Sequence, residues 1–262
     1  MKKIASILLT TALVLGIVLS AGCSQKSSDG TAAVPPDSKT YKIAVSGTFP
    51  PFGMIGKTGN PEGFEIDLIK AIAAEKGFKA KCEVTSWSSK MPALKSEQVD
   101  VLLCSMTITD ERKKEVDFSD PYFESTNYML VPRGSQIHSL ADLKGKTVAV
   151  LQASTSDFAI SDYLGKNYEG LKRYRHTTTA FMEVKNGKVD AAVGDSGIVM
   201  YYIKKNPEVN LSIVKGNNFP KEYYGMAVRK GDQELLQLIN DGLKKVRENG
   251  KYEQIYEKWF KD

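Results

Sequence analysis

Histidine is scarce in this sequence: two residues in 262, His138 and His176, beside three cysteines and two tryptophans. Two isolated histidines, with no close set of His, Cys and carboxylate side chains around them, leave no metal-ligand cluster, and no cofactor is implied. Three cysteines cannot staple a disulfide scaffold, and a chain of this length builds a core without one. Gly53, Gly56 and Gly59 do not make a phosphate loop, an ATP-binding motif is missing, and no Ser-His-acid motif indicates a serine hydrolase. Charge of one sign is not in excess either. Lys and Arg number 36 against 31 Asp and Glu, and a formal charge of +5, scattered along the chain, gives no footprint for nucleic acid.

What is present begins with a leader. Lys2 and Lys3 precede an apolar run from Ile4 to Leu19, followed at once by Ser20-Ala21-Gly22-Cys23. A basic start, an apolar stretch and small residues before a cleavage point make an export signal. The rival reading is an uncleaved membrane helix, for which the run is short against the roughly 20 residues a bilayer requires. Residues 24–40, rich in Ser, Asp, Gly, Ala and Pro and without apolar periodicity, read as a flexible tether. Removal of residues 1–22 would also take Lys2 and Lys3 from the positive balance. Cys82 and Cys104 fall in strand-like runs and read as small core residues, with a disulfide between them left open.

From Tyr41 onward strands and helices alternate. The spacing predicts strands over Tyr41 to Ser46, Ala80 to Thr85 and Val101 to Cys104, with a helix from Phe64 that Gly77 stops. The turn-rich segment between Gly47 and Gly63 is read as irregular. After an extended run from Asn127 to Pro132, a second series follows: strands at Thr147 to Leu151, Lys172 to Arg175 and Asp190 to Val193, and helices ending near Leu164, Asn186 and Lys205. A last extended run, Tyr223 to Val228, precedes helices over Leu235 to Asn249 and Tyr252 to Phe260, whose aromatics read as packing. Largely parallel sheets in two α/β lobes are implied.

One stretch carries ligand chemistry. Ser105-Met106-Thr107-Ile108-Thr109-Asp110-Glu111-Arg112 leaves a short apolar strand and enters a helix that Thr109 is placed to cap. Hydroxyls and a guanidinium thus collect at the C-terminal end of a strand, where open α/β sheets bind small molecules. An arginine fork suits a carboxylate. The plainer reading is a solvated helix face over Asp110 to Lys114.

Phe49-Pro50-Pro51-Phe52, Gly63-Phe64-Glu65-Ile66-Asp67-Leu68, Pro92-Ala93-Leu94, Met106 to Arg112, Asp117-Phe118-Ser119-Asp120-Pro121-Tyr122, Leu140 to Gly145 and Tyr224-Gly225-Met226-Ala227 occur in one order. That order resembles the bacterial extracellular solute-binding proteins, family 3, of polar amino-acid ABC importers, with glutamine- and histidine-binding members most similar. The resemblance runs from Tyr41 to the C-terminus. It implies a two-lobed α/β fold of the periplasmic-binding-protein, or Venus flytrap, type with two hinge crossings, near Ser125 to Leu130 and Phe219 to Tyr224. The lobes would then be 41–126 with 223–262, and 127–222, after a signal peptide over 1–22 and a tether over 23–40. The leader, which ends in Cys23, itself resembles a bacterial lipoprotein signal, and that resemblance implies that the Cys23 sulfur receives the lipid and becomes the anchored N-terminus outside the cytoplasm.

By the same resemblance Arg112 holds the ligand's α-carboxylate and Asp195 its α-ammonium. Ser105 and Thr107 add backbone and hydroxyl contacts, Ser154 and Thr155 supply amides at a helix N-terminus, and Phe49 and Trp87 sandwich the side chain. Without it Asp195, Ser154 and Thr155 read as helix caps and the aromatics as core. Ser46 stands where relatives often carry an acid, and Leu151 and Gly194 replace polar residues of the glutamine binder. Cys104 is a further side-chain contact. A neutral, apolar or sulfur-containing amino acid is then plausible, and a cationic one stacked between Phe49 and Trp87 stays open. The implied partners are a free amino acid, separate permease and ATPase subunits and the membrane reached by the lipid anchor, with the protein a monomer. The rival functions are a dehydratase-like enzyme on the same fold, acting on a small carboxylic acid, and a receptor-presenting or adhesive lipoprotein.

Overall fold

A computed structural model of the chain describes residues 35, 37–215 and 219–261. The expected signal segment, Cys23 and most of the tether lie outside the described residues. No helix among the described residues is long and apolar enough to cross a membrane.

β1 (Thr40–Val45) buries its last three residues in succession, as a strand covered on both faces must. The turn-rich segment that follows is not wholly irregular. It folds into a small antiparallel sheet of β2 (Thr48–Phe49), β3 (Gly53–Ile55) and β4 (Pro61–Glu62), two or three residues apiece and too short to show periodicity. α1 (Phe64–Lys76) ends where Gly77 takes φ 70° and returns its N–H to the Ala73 carbonyl, a left-handed cap that a glycine adopts without strain.

β5 (Lys79–Val84) pairs parallel with β1 on one side. A 3₁₀ turn over Trp87–Ser89 leads into α2 (Lys90–Lys95), and β6 (Val101–Leu103) pairs parallel with β1 on the other side. Cys82 lies on β5 and Cys104 just beyond β6, with β1 between those strands, and both are free thiols. α3 (Asp110–Lys113) and β7 (Val116–Phe118) follow, and β8 (Phe123–Ser125) leaves for the other half of the molecule.

The second sheet takes in β9 (Asn127–Pro132), β10 (Val148–Leu151), β11 (Leu171–Tyr174), β12 (Ala191–Asp195) and β13 (Leu211–Val214). Its order is β11-β10-β12-β9-β13, parallel among the first three and antiparallel at β9 and β13. α4 (Thr155–Leu164) covers one face, α5 (Thr177–Lys185) and α6 (Ser196–Lys205) the other.

The chain then returns. The run expected to be one extended segment is two strands in different sheets. β14 (Glu222–Tyr224) lies antiparallel to β8 in the crossing, and β15 (Ala227–Arg229) enters the first sheet. That sheet reads β5-β1-β6-β15-β7, with β15 antiparallel to both neighbours. α7 (Gln233–Glu248) buries Leu235, Ile239, Leu243 and Val246, a helical stripe. α8 (Lys251–Phe260) sets Phe260 against Phe52, Phe64 and Phe123, so its ring packs rather than lining a ligand site. Two α/β lobes joined by two crossing strands are the periplasmic-binding-protein fold that the sequence implies.

Candidate ligand-binding site

The C-terminal ends of β1 and β6 in one lobe, and of β10 and β12 in the other, open on one cavity. The space between its walls is about 490 Å³ when counted out into open solvent, of which about 30 Å³ admits the centre of a water-sized molecule. All ten residues named from the sequence line it: Ser46, Phe49, Trp87, Ser105, Thr107, Arg112, Leu151, Ser154, Thr155 and Asp195. Cys104, the further contact read from the sequence, lines it too, whereas Gly194 does not, and Thr48, Lys90, Arg175, His176 and Thr177 complete the wall.

Arg112 is held by two contacts. Its Nη1 donates to the Thr107 carbonyl at 2.9 Å, and its guanidinium lies 5.4 Å from the centre of the Trp87 ring. Burial lowers its pKa from the usual arginine value, against the attraction of Cys104, Asp195 and Glu222 nearby; an arginine remains a cation all the same. The Thr109 hydroxyl accepts from the Arg112 amide, the cap read from the sequence.

Asp195 is 8% exposed and stands at the first turn of α6, yet its side chain makes no capping bond. Its Oδ1 instead accepts from the Tyr224 hydroxyl at 2.6 Å. Burial raises its pKa to about 6, with the Tyr224 bond acting the other way. A carboxylate kept partly desolvated and bonded through one oxygen has capacity left for a cation.

The hydroxyls are committed inside the protein. Ser105, at φ 53°, gives its backbone N–H and its hydroxyl to Glu65 Oε1, which also accepts from Tyr122. Glu65 is fully buried, its other oxygen has no partner, and burial raises its pKa. Ser154 donates to the Leu151 carbonyl and caps α4 by accepting from the Asp157 amide. The capping reading of Ser154 therefore holds alongside its place in the wall. Thr155 and Thr107, one from each lobe, both donate to Glu222 Oε2, while Asn127 donates to Oε1. What these residues leave for a ligand is backbone: the first amides of a helix have no intrahelical acceptor, and at α4 those belong to Thr155 and Ser156.

Three further contacts bring the lobes together. Trp87 Nε1 donates to the Gln152 carbonyl at 3.1 Å, Thr48 Oγ1 meets His176 Nδ1 at 3.2 Å, and the Phe52 ring rests on Gly197, where a Cβ would come within 2.7 Å of it. His176, isolated in the sequence, is thus a wall residue. Lys90 was missed as well. It precedes Met91-Pro92-Ala93-Leu94 like any exposed helix start, but is 2% exposed and its Nζ lies 5.0 Å from the Trp87 ring centre. In the sequence Glu222 stands out only as part of a hinge segment, and Tyr224 as part of that segment and of a family motif; nothing local marks them as the groups that bind Thr107, Thr155 and Asp195.

Among the described residues there is no grouping of His, Cys, Asp and Glu suited to a metal ion. The arrangement can grip a small zwitterion: guanidinium and helix amides toward a carboxylate, and a buried carboxylate toward an ammonium.

Similarity to known proteins agrees with this geometry. The chain is 39% identical over 262 residues to a probable histidine-binding protein of Neisseria gonorrhoeae, covering 99% of this chain and 96% of that one. It is 36% identical over 278 residues to the ABC transporter glutamine-binding protein GlnH of Bacillus subtilis, covering 100% and 98%. Among solved structures, the arginine-, lysine-, histidine-binding protein ArtJ of Geobacillus stearothermophilus superposes with a TM-score of 0.82 at 38% identity, over 86% of this chain and 96% of that one. Residues 41–262 match the profile of the bacterial extracellular solute-binding proteins, family 3, and the chain belongs to that family.

Proposed function

We propose that this protein captures a free amino acid between its lobes and delivers it to the permease of an ABC importer, whose ATPase is a separate subunit. The observation that carries the reading is the placement of Arg112 and Asp195, from opposite lobes, on one cavity wall. Arg112 and the α4 amides take the α-carboxylate, Asp195 takes the α-ammonium, and Phe49 and Trp87 flank the side chain. Each charge taken from water is then paired. Neither lobe completes the cage alone, so the ligand favours the closed form by differential contact, and the closed form is what the permease engages.

The lobes in this reading are 41–126 with 223–262, and 127–222. Residues 1–22 are a signal peptide, and Cys23 carries the lipid that anchors the monomer outside the cytoplasm. The protein is a receptor and not an enzyme. Calorimetric titration with single amino acids tests this: saturable binding without turnover is expected, and failure of every amino acid to bind refutes it. Replacing Cys23→Ser should release the protein from the membrane fraction; unchanged fractionation would remove the lipid anchor from the reading.

A further inference from the structure

Resting on the reading above, we infer that the ligand carries a second carboxylate, on its side chain, received by Lys90 and by the N-terminal end of α5. Once a zwitterion occupies Arg112 and Asp195, the charged side chains left on the cavity wall are Lys90 and Arg175. The two nearby acids do not line the cavity. Glu65 is engaged by Ser105 and Tyr122, and Glu222 by Thr107, Thr155 and Asn127.

Lys90 is the decisive group. It is 2% exposed, and among the described residues no carboxylate lies within ion-pair distance of its ammonium; it faces the Trp87 ring and the Cys104 thiol. Glu65 acts on it only through space. An ammonium so desolvated gains from an anionic partner. From the other lobe comes the start of α5. His176 holds the N-cap position without making a capping bond, because its ring turns to Thr48. The first amides of this nine-residue helix therefore lack a cap. Thr177, the first helical residue, is 2% exposed, and its hydroxyl has no partner. Arg175 precedes it, and its side chain forms no hydrogen bond or ion pair with a described residue. Uncapped amides, a free hydroxyl and two cations on one wall are an anion site.

The same arrangement opposes a cationic side chain. Trp87 already has Lys90 at 5.0 Å and Arg112 at 5.4 Å from its ring centre, so a third cation stacking there meets two like charges. The ligand class therefore differs from that named for ArtJ. Two sources share the required chemistry: a short acidic amino acid, and a longer amino acid such as cystine, whose far end carries a second carboxylate together with a second ammonium.

The test is calorimetry of the wild-type protein against L-glutamate, L-aspartate, L-cystine, L-glutamine and L-arginine. One or more of the first three should bind at least tenfold tighter than glutamine and arginine, and the order among them separates the short ligand from the long one. In Arg175→Gln and Lys90→Met, each checked for folding by circular dichroism, the preference for the second carboxylate should fall about tenfold. Arg175 is exposed, so its variant keeps the test open should Lys90→Met fail to fold. Glutamine or arginine binding as tightly as the dicarboxylates, or an unchanged preference in the folded variants, overturns the inference and leaves the amino-acid receptor standing. No binding of any amino acid overturns the receptor reading itself.

Discussion

Acidification should weaken ligand binding through Asp195. Burial holds this carboxyl at a pKa of about 6 in the ligand-free protein, whereas a ligand ammonium demands the carboxylate. At pH 7 the group is about nine-tenths ionised, and at pH 5 only about one molecule in eleven is ready to bind, so affinity falls on the order of tenfold across those two pH units. The stability consequence has the opposite sign. A carboxyl raised from 3.8 to about 6 favours the protonated fold, so its contribution to ligand-free stability is full below about pH 4. It is lost as pH rises through about 6, on the order of 3 kcal/mol in all. Bound ligand restores that loss, and the ligand-induced rise in Tm should therefore be larger at pH 7 than at pH 5. Titration calorimetry and thermal melts from pH 7.5 to 5 measure both. Asp195→Asn should bind weakly with a flat profile. An affinity that does not change between pH 7 and pH 5, or a slope that survives in Asp195→Asn, would refute the argument.

Three substitutions probe other parts. Arg112→Ala removes the carboxylate's cation while its single backbone bond, to Thr107, is a small loss to the fold; affinity should drop by about 3 kcal/mol, or over a hundredfold, with an unchanged melt, and retained affinity would dismiss the assignment. Glu65→Ala strips the Ser105 amide, the Ser105 hydroxyl and the Tyr122 hydroxyl of their acceptor, at about 3–5 kcal/mol and a Tm lower by about 10 °C. Glu65→Gln, which keeps an acceptor oxygen, should cost much less, and equal losses would contradict this account. Gly197→Ala places a methyl against the Phe52 ring across the lobes. Small-angle scattering should show a less compact liganded state and affinity should fall, with about 1–3 kcal/mol of overpacking; a normal closed form would show that the ring simply moves aside.

Much of the fold can be read from periodicity because its elements are long. α1 ends at the glycine that the sequence marks, β9 spans the expected Asn127 to Pro132, and the stripe on α7 is the buried one. Short strands are invisible to the same reasoning: β2, β4 and β15 have too few residues to show a period, and β15 is recognisable as separate from β14 only once their partners are known. Of the ten wall residues, Ser105, Thr107 and Arg112 are legible as hydroxyls and a guanidinium at a strand end, while the other seven come from a family pattern. Lys90 and Thr177 escape for a related reason. Lys90 is buried beside Trp87 and Cys104 and Thr177 at the uncapped start of α5, and the residues adjacent to them in sequence do not mark either as buried.

The seat of β15 has a consequence for biosynthesis. The strand over Ala227–Arg229 is wedged between β6 and β7, and β7 touches the rest of its sheet only through it. A nascent chain emerging from a translocation channel can assemble β9 to β13 while its earlier half still lacks a keystone made near the end of synthesis. The portion threaded first is thus completed last, and a chain truncated before Ala227 would leave a split sheet with two raw edges, ready prey for envelope proteases.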